Sequence, residues 1–178
     1  MNNSQELEDH SQKNDYRTIE QTMEKLAGGT RRLAAQLTTS ASLDSLWNVL
    51  TDYDRLNLYI PNLLSSKKIY QNKNNVHLKQ VGAQDFLGMK FSAEVTIDLF
   101  EDKKLGLLKF KLIKGDFRKF EGSWKIKQIK NTSKNSLIYD LTVQGCQWMP
   151  IGMIEKRLKN DLSENLKAVD RQAKSQIN

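Results

Sequence analysis

The clearest signal along the chain is a period of two. From residue 91 to residue 99, Phe91, Ala93, Val95, Ile97 and Leu99 point one way and Ser92, Glu94, Thr96 and Asp98 the other, the alternation of a strand with one dry face. Leu108, Phe110 and Leu112 repeat it against Lys109, Lys111 and Ile113, and Trp124 and Ile126 against Lys125 and Lys127. Leu137, Tyr139, Leu141 and Val143 do so against Ile138, Asp140, Thr142 and Gln144. Turn-rich clusters separate the segments at residues 71–75, 85–90, 101–104, 115–122 and 131–135. Connections this short predict antiparallel neighbours, since parallel strands need long crossovers.

Elsewhere the period lengthens. Leu33, Ala35 and Leu37 form a first strand, after which Leu43, Leu46, Trp47 and Leu50 fall at helical spacing behind Ser42, a helix-capping residue, and Asp44 in the first turn. Residues 53–60 read as a second short helix that must end at Pro61, whose ring disfavours helical geometry in the residue before it. Beyond Pro150, Ile151, Ile154, Leu158, Leu162, Leu166, Val169 and Ala173 keep spacings of three or four, with Lys156, Arg157, Lys159, Asp161 and Lys167 on other faces. The predicted architecture is α+β: a curved antiparallel sheet of about seven strands wrapped around a long C-terminal helix, with two short helices after the first strand. That helix is the element long enough to cover the apolar concave face, and one helix against a strongly curved sheet tends to leave an interior pocket.

Composition narrows the class. The 178 residues carry a net charge of +7 and one cysteine, Cys146, and no run of about eighteen apolar residues occurs. A reduced compartment is expected, with the protein cytoplasmic or peripheral to a membrane. Residues 1–29 hold three basic groups and six acidic ones and end in Gly28-Gly29, so they are expected to form an acidic, flexible segment ahead of a domain spanning 30–178. Ile19, Met23 and Leu26 also suit a short docked helix.

Several residues carry a resemblance. Leu46-Trp47-Asn48-Val49-Leu50-Thr51-Asp52-Tyr53 followed by Tyr59-Ile60-Pro61 resembles the first helix and bend of the START-like, polyketide cyclase/dehydrase superfamily (SRPBCC). Asp116-Phe117-Arg118 with Gly122-Ser123-Trp124 is similar to its coenzyme-Q-binding branch. The resemblance covers roughly residues 30–173. It implies a helix-grip fold and the binding or carriage of a small hydrophobic ligand, whether lipid, isoprenoid quinone or polyketide-like molecule, between sheet and C-terminal helix. The alternative it implies is a polyketide cyclase or dehydrase.

Candidate chemistry is sparse. There is no phosphate-binding glycine loop, no His-Glu-x-x-His, no paired cysteines and no nucleophile elbow. No cofactor or metal is expected and no catalytic residue is assigned. Tyr139 shares the inward face of its strand, so its hydroxyl needs a backbone, water or ligand partner. The candidate cavity residues are Phe91, Phe110, Trp124, Tyr139, Leu141, Trp148, Met153 and Leu158. Arg118 is read as an ion-pair partner of Asp116 or Glu121, and His77 as a surface residue. The lysines of the outer strand faces, among them Lys109, Lys111, Lys125 and Lys127, discourage sheet aggregation and also suit an anionic membrane surface. Nucleic acid is not an expected partner, and a protein partner is unknown.

Overall fold

In the computed structural model, residues 19–86, 89–146 and 151–176 are described, without the side chains of 84–86, 89–90 and 151–154. Eight strands form one antiparallel sheet: β1 (Glu20–Lys25), β2 (Arg31–Thr39), β3 (Leu63–Asn72), β4 (Asn75–Phe86), β5 (Met89–Asp102), β6 (Leu107–Gly115), β7 (Lys119–Gln128) and β8 (Asn135–Gln144). Their spatial order is β1-β2-β8-β7-β6-β5-β4-β3. The sheet stays open, with β1 and β3 at its edges. Helix α1 (Leu43–Thr51) and a 3-10 segment (Tyr53–Leu58) connect β2 to β3, and helix α2 (Ile151–Ser175) ends the chain.

One strand more than expected comes from residues assigned by sequence to the flexible segment. Glu20–Lys25 pair with β2, Met23 facing Leu33 in register, so the boundary expected at residue 30 falls inside the sheet. Pattern missed β1 because both its faces are largely exposed, leaving no alternation to see. Gln21 and Lys25 also reach α2: Gln21 Nε2 donates to the Lys159 carbonyl at 2.6 Å, and Lys25 Nζ lies 3.8 Å from Glu155.

The α1 region follows its local signals. Ser42 Oγ accepts from the Ser45 amide at 3.0 Å, and Leu46, Trp47, Val49 and Leu50 are buried. After the 3-10 segment, Tyr59 Oη donates to the Val49 carbonyl at 2.6 Å and fastens the bend to α1. Asn62 then takes a left-handed conformation, φ 63°, that asparagine tolerates better than most residues, and its carbonyl accepts from the Ala83 amide. Asp54 Oδ1 accepts from the Lys68 amide at 2.8 Å, tying the same bend to β3.

Register shifts within β3–β4 and β5–β6 curl the sheet. Two glycines permit close approaches. Gly115 has φ +151°, and a Cβ there would lie 2.3 Å from the Glu94 carbonyl oxygen. At Gly122 the Cβ would meet the Asp140 carbonyl oxygen at 2.0 Å and the Phe110 ring at 2.8 Å.

Helix α2, about 37 Å long, lays Leu162, Leu166, Val169 and Ala173 on the concave face. It packs on β1, β2, β8 and α1. Its last turns are clamped by Asp170, 1% exposed, whose carboxylate accepts from the Thr39 hydroxyl and sits 3.0 Å from Lys174 Nζ. Nearer its start, Glu155 Oε1 accepts from Arg31 Nε at 2.5 Å. The helix is therefore held to the β1–β2–β8 side, and the concave surface offered by β4, β5 and β7 is left to enclose space.

Candidate ligand-binding cavity

That space is a cavity of about 340 Å³. Val95 and Ala93 of β5, Trp124 of β7 and Tyr139 and Leu141 of β8 form its floor, because they occupy the inward positions of alternating strands. Leu158, Leu162 and Val169 of α2 roof it, and Leu50, Leu56, Ile60 and Pro61 close one side. Phe91 stands at the rim, 40% exposed.

Five of the residues expected from sequence meet here: Phe91, Trp124, Tyr139, Leu141 and Leu158. Phe110 does not reach the main cavity. It lines a neighbouring hollow of about 80 Å³ that shares Trp124 and Tyr139, its ring lying against Phe120 with centroids 5.6 Å apart. Trp148 and the Met153 side chain lie outside the described residues.

Other lining residues were not expected. Phe117 and Phe120 fall in what reads by sequence as a turn cluster, yet β7 begins at Lys119 and both rings turn inward, 5.4 Å apart. Asp116 arranges this: its Oδ2 accepts from the Glu94 amide at 2.7 Å and its own amide donates to the Glu94 carbonyl, pinning the turn to β5. The ion pair expected for Arg118 is not with these acids, since Asp116 serves the backbone and Glu121 pairs with Lys119 at 2.9 Å. Arg118 is exposed.

Polar side chains of α2 enter the lining as well. Arg157 and Asp161, assigned by sequence to other faces of the helix, line the cavity together with Asn165. The signal was present: Leu158, Asp161, Leu162, Asn165 and Val169 share one helical stripe, so the face that meets the sheet is apolar with polar insertions. Asn62 and Gln80 complete a polar border. Asn62 Nδ2 donates to Asp161 Oδ1 at 3.3 Å, and Gln80 Nε2 to Ser66 Oγ at 3.2 Å.

Tyr139 belongs to the aromatic floor. Its ring is stacked on Trp124, and its hydroxyl finds no hydrogen-bond partner among the described residues. Burial, and secondarily the negative charge of Asp161, hold its phenol proton well above the ordinary tyrosine range. The site thus offers a neutral hydroxyl donor, a carboxylate, a guanidinium and an amide around an apolar volume.

A family model described as polyketide cyclase/dehydrase and lipid transport matches residues 39–170. The chain belongs to this polyketide cyclase/dehydrase and lipid transport family. Its match begins at the last residue of β2 and ends at Asp170, so it includes both the bend and the cavity-facing stripe of α2. Solved structures similar to this family member include a STAR-related lipid transfer protein from Xanthomonas axonopodis, with TM-score 0.76 and 11% identity over 89% of this chain and 94% of that one. The Zhui aromatase/cyclase from Streptomyces sp. R1128 has TM-score 0.71 and 14% identity over 84% and 96%. A START superfamily protein from Mycobacterium smegmatis has TM-score 0.65 and 16% identity over 81% and 97%. At these identities the likeness is one of fold, the START-like helix-grip arrangement. No curated protein sequence matches the chain. Neither the family model nor these three structures singles out the coenzyme-Q-binding branch that the run from Asp116 to Trp124 resembles.

No helix among the described residues is long and apolar enough to cross a membrane, and no group of metal-ligating side chains occurs among them.

Proposed function

We propose that the protein binds and carries one small hydrophobic molecule in the cavity between sheet and helix α2. The observation that carries this reading is the cavity itself, about 340 Å³ with aliphatic and aromatic walls and a short polar border. Such a site draws an apolar ligand by removing its surface from water, roughly 25 cal/mol for each Å² buried, and orients it with a few polar contacts. The volume is near the small end of the roughly 300–1,000 Å³ usual for small-molecule sites. This favours a compact polycyclic, polyketide-like or single-chain isoprenoid ligand over a diacyl lipid. Basic residues on the sheet, Lys67, Lys68, Lys109 and Lys114 among them, suit loading at an anionic membrane surface.

The test is native mass spectrometry of gently purified protein, with extraction and identification of what it holds, beside an Ala93→Trp variant. Ala93 lines the cavity, so the indole fills it. A stoichiometric apolar molecule in the wild type, lost in the variant, is expected. A wild-type protein that is empty and takes up neither lipids nor quinones from vesicles overturns carriage.

A cyclase is the second reading, favoured by the presence in one cavity of Tyr139 on the sheet and of Asp161 and Arg157 on the facing helix. A donor, a base and a cation around a bound polyketide-like chain are what positioning and polarising a carbonyl require. Turnover of such a substrate that falls in both Tyr139→Phe and Asp161→Asn supports it, and unchanged turnover in both removes it.

A further inference from the structure

The edge of the cavity carries apolar side chains that the fold leaves in water. Leu58 and Leu64 are 71% and 61% exposed, and they bracket the bend whose Ile60, Pro61 and Leu63 line the cavity. Strand register sets Phe91 at the same end of the sheet: Leu63 faces Gly82, Gly82 faces Ala93, and Phe91 stands at the rim two positions before Ala93. The register shift between Leu63 and Ser65 leaves Leu64 without a cross-strand partner, the position of a bulged residue. Single exposed leucines are ordinary, whereas several beside an apolar cavity mark a contact surface.

Charge selects the partner. Acids around this end of the sheet are engaged: Asp54 accepts from the Lys68 amide, Glu94 pairs with Lys79 at 2.9 Å, and Asp161 accepts from Asn62. Lys67, three residues beyond Leu64, is exposed and has no ion pair among the described residues. The Lys68 ammonium, also exposed, donates to the neutral Gln71 side chain at 2.8 Å. Exposed leucines with unneutralised lysines beside them match the boundary of an anionic bilayer, where apolar side chains enter the acyl region and lysines meet the headgroups. We propose that this rim, Leu58, Leu64 and Phe91 with Lys67 and Lys68, docks on an anionic lipid bilayer and brings the cavity against it. A ligand then passes between acyl chains and cavity with little of its apolar surface exposed to water.

The loading role rests on the cavity being the ligand site, and the experiment reads docking and occupancy separately. Full-length protein is sedimented with vesicles of phosphatidylcholine alone and of phosphatidylcholine mixed with phosphatidylglycerol, and native mass spectrometry follows what the cavity holds. The wild type is expected to bind the mixed vesicles more tightly, by a margin that shrinks in Lys67→Glu and in high salt. Leu58→Asp combined with Leu64→Asp, both at exposed positions and checked by thermal melting, is expected to lose at least about tenfold in affinity for the mixed vesicles. Leu105→Asp is the control, an exposed leucine in the turn after β5, at the other end of that strand from Phe91, and is expected to bind as the wild type does. Wild-type protein that binds neither vesicle, or both equally, overturns docking on an anionic bilayer, and a stoichiometric cavity molecule in the same sample leaves carriage standing. An unchanged affinity in the double variant, or an equal loss in Leu105→Asp, overturns the assignment to this rim. Self-association without lipid that the double variant abolishes, in a protein that ignores vesicles, makes the rim an interface between copies and overturns the proposal. Rim-dependent vesicle binding by a protein that stays empty overturns the loading role together with carriage.

Discussion

The indole of Trp124 lies flat on the ring of Tyr139, 4.0 Å between centroids and 10° from parallel. The two residues face each other in register on β7 and β8, so the stack is set by strand pairing and not by loop conformation. It fixes a tyrosine ring that lines the cavity and whose hydroxyl has no hydrogen bond among the described residues, and this allows structural and binding roles of Tyr139 to be separated.

Tyr139→Phe keeps the stack and removes a hydroxyl that has no hydrogen bond among the described residues. Its unfolding free energy in urea should change by less than about 0.5 kcal/mol, whereas affinity for an oxygen-bearing ligand should fall about tenfold. A loss of stability with unchanged affinity contradicts the assignment of this hydroxyl to the ligand.

Tyr53, Tyr59 and Tyr139 are all held above the ordinary phenol range, chiefly by burial. For Tyr53 the hydrogen bond to Glu101, 2.5 Å long, adds to the effect. The folded state thus keeps protons that the unfolded chain releases near pH 10. The stability linked to these groups is fully present below that pH and declines as pH rises beyond it. Absorbance titration at 295 nm should show these tyrosines ionising with the alkaline unfolding transition followed by circular dichroism. Ionisation of every tyrosine near pH 10 in a protein that stays folded would refute the burial argument.

Gly122→Ala should be severe for a single methyl group. The added Cβ meets a carbonyl oxygen of β8, which cannot swing away, and the Phe110 ring. A loss of about 3 kcal/mol in chemical denaturation is expected, the upper part of the usual range for overpacking. A loss under about 1 kcal/mol means that β7 and β8 are not held at this spacing.

Thr39→Val should cost about 2 kcal/mol, because it removes a donor from the buried carboxylate of Asp170 and an acceptor from the Ala41 amide, which bonds Thr39 Oγ1 at 2.9 Å. Lys174→Met, at a side chain 29% exposed, should cost less. Equal losses in the two variants, measured in urea, contradict the dominance of the buried partner.

The chain alone determined the inward and outward sides of β5 to β8, the capped helix after Ser42 and the long final helix, since each depends on periodicity among near neighbours. It also placed Phe91, Trp124, Tyr139, Leu141 and Leu158 on apolar faces, because a residue's face follows from its position in a strand or helix. Tertiary structure decided what those faces meet. Strand β1 became visible only when paired with β2, as an edge strand with two wet faces has no hydrophobic period. Phe117 and Phe120 enter the cavity because Asp116 grips β5, a contact across 22 residues. Asp161 and Asn165 look like ordinary polar helix positions until the helix is seen standing over the cavity. Periodicity reports which residues share a surface. Whether that surface is filled, and whether an amide on it has found a partner, depends on distances between elements far apart in sequence, and those are set only when the whole chain packs.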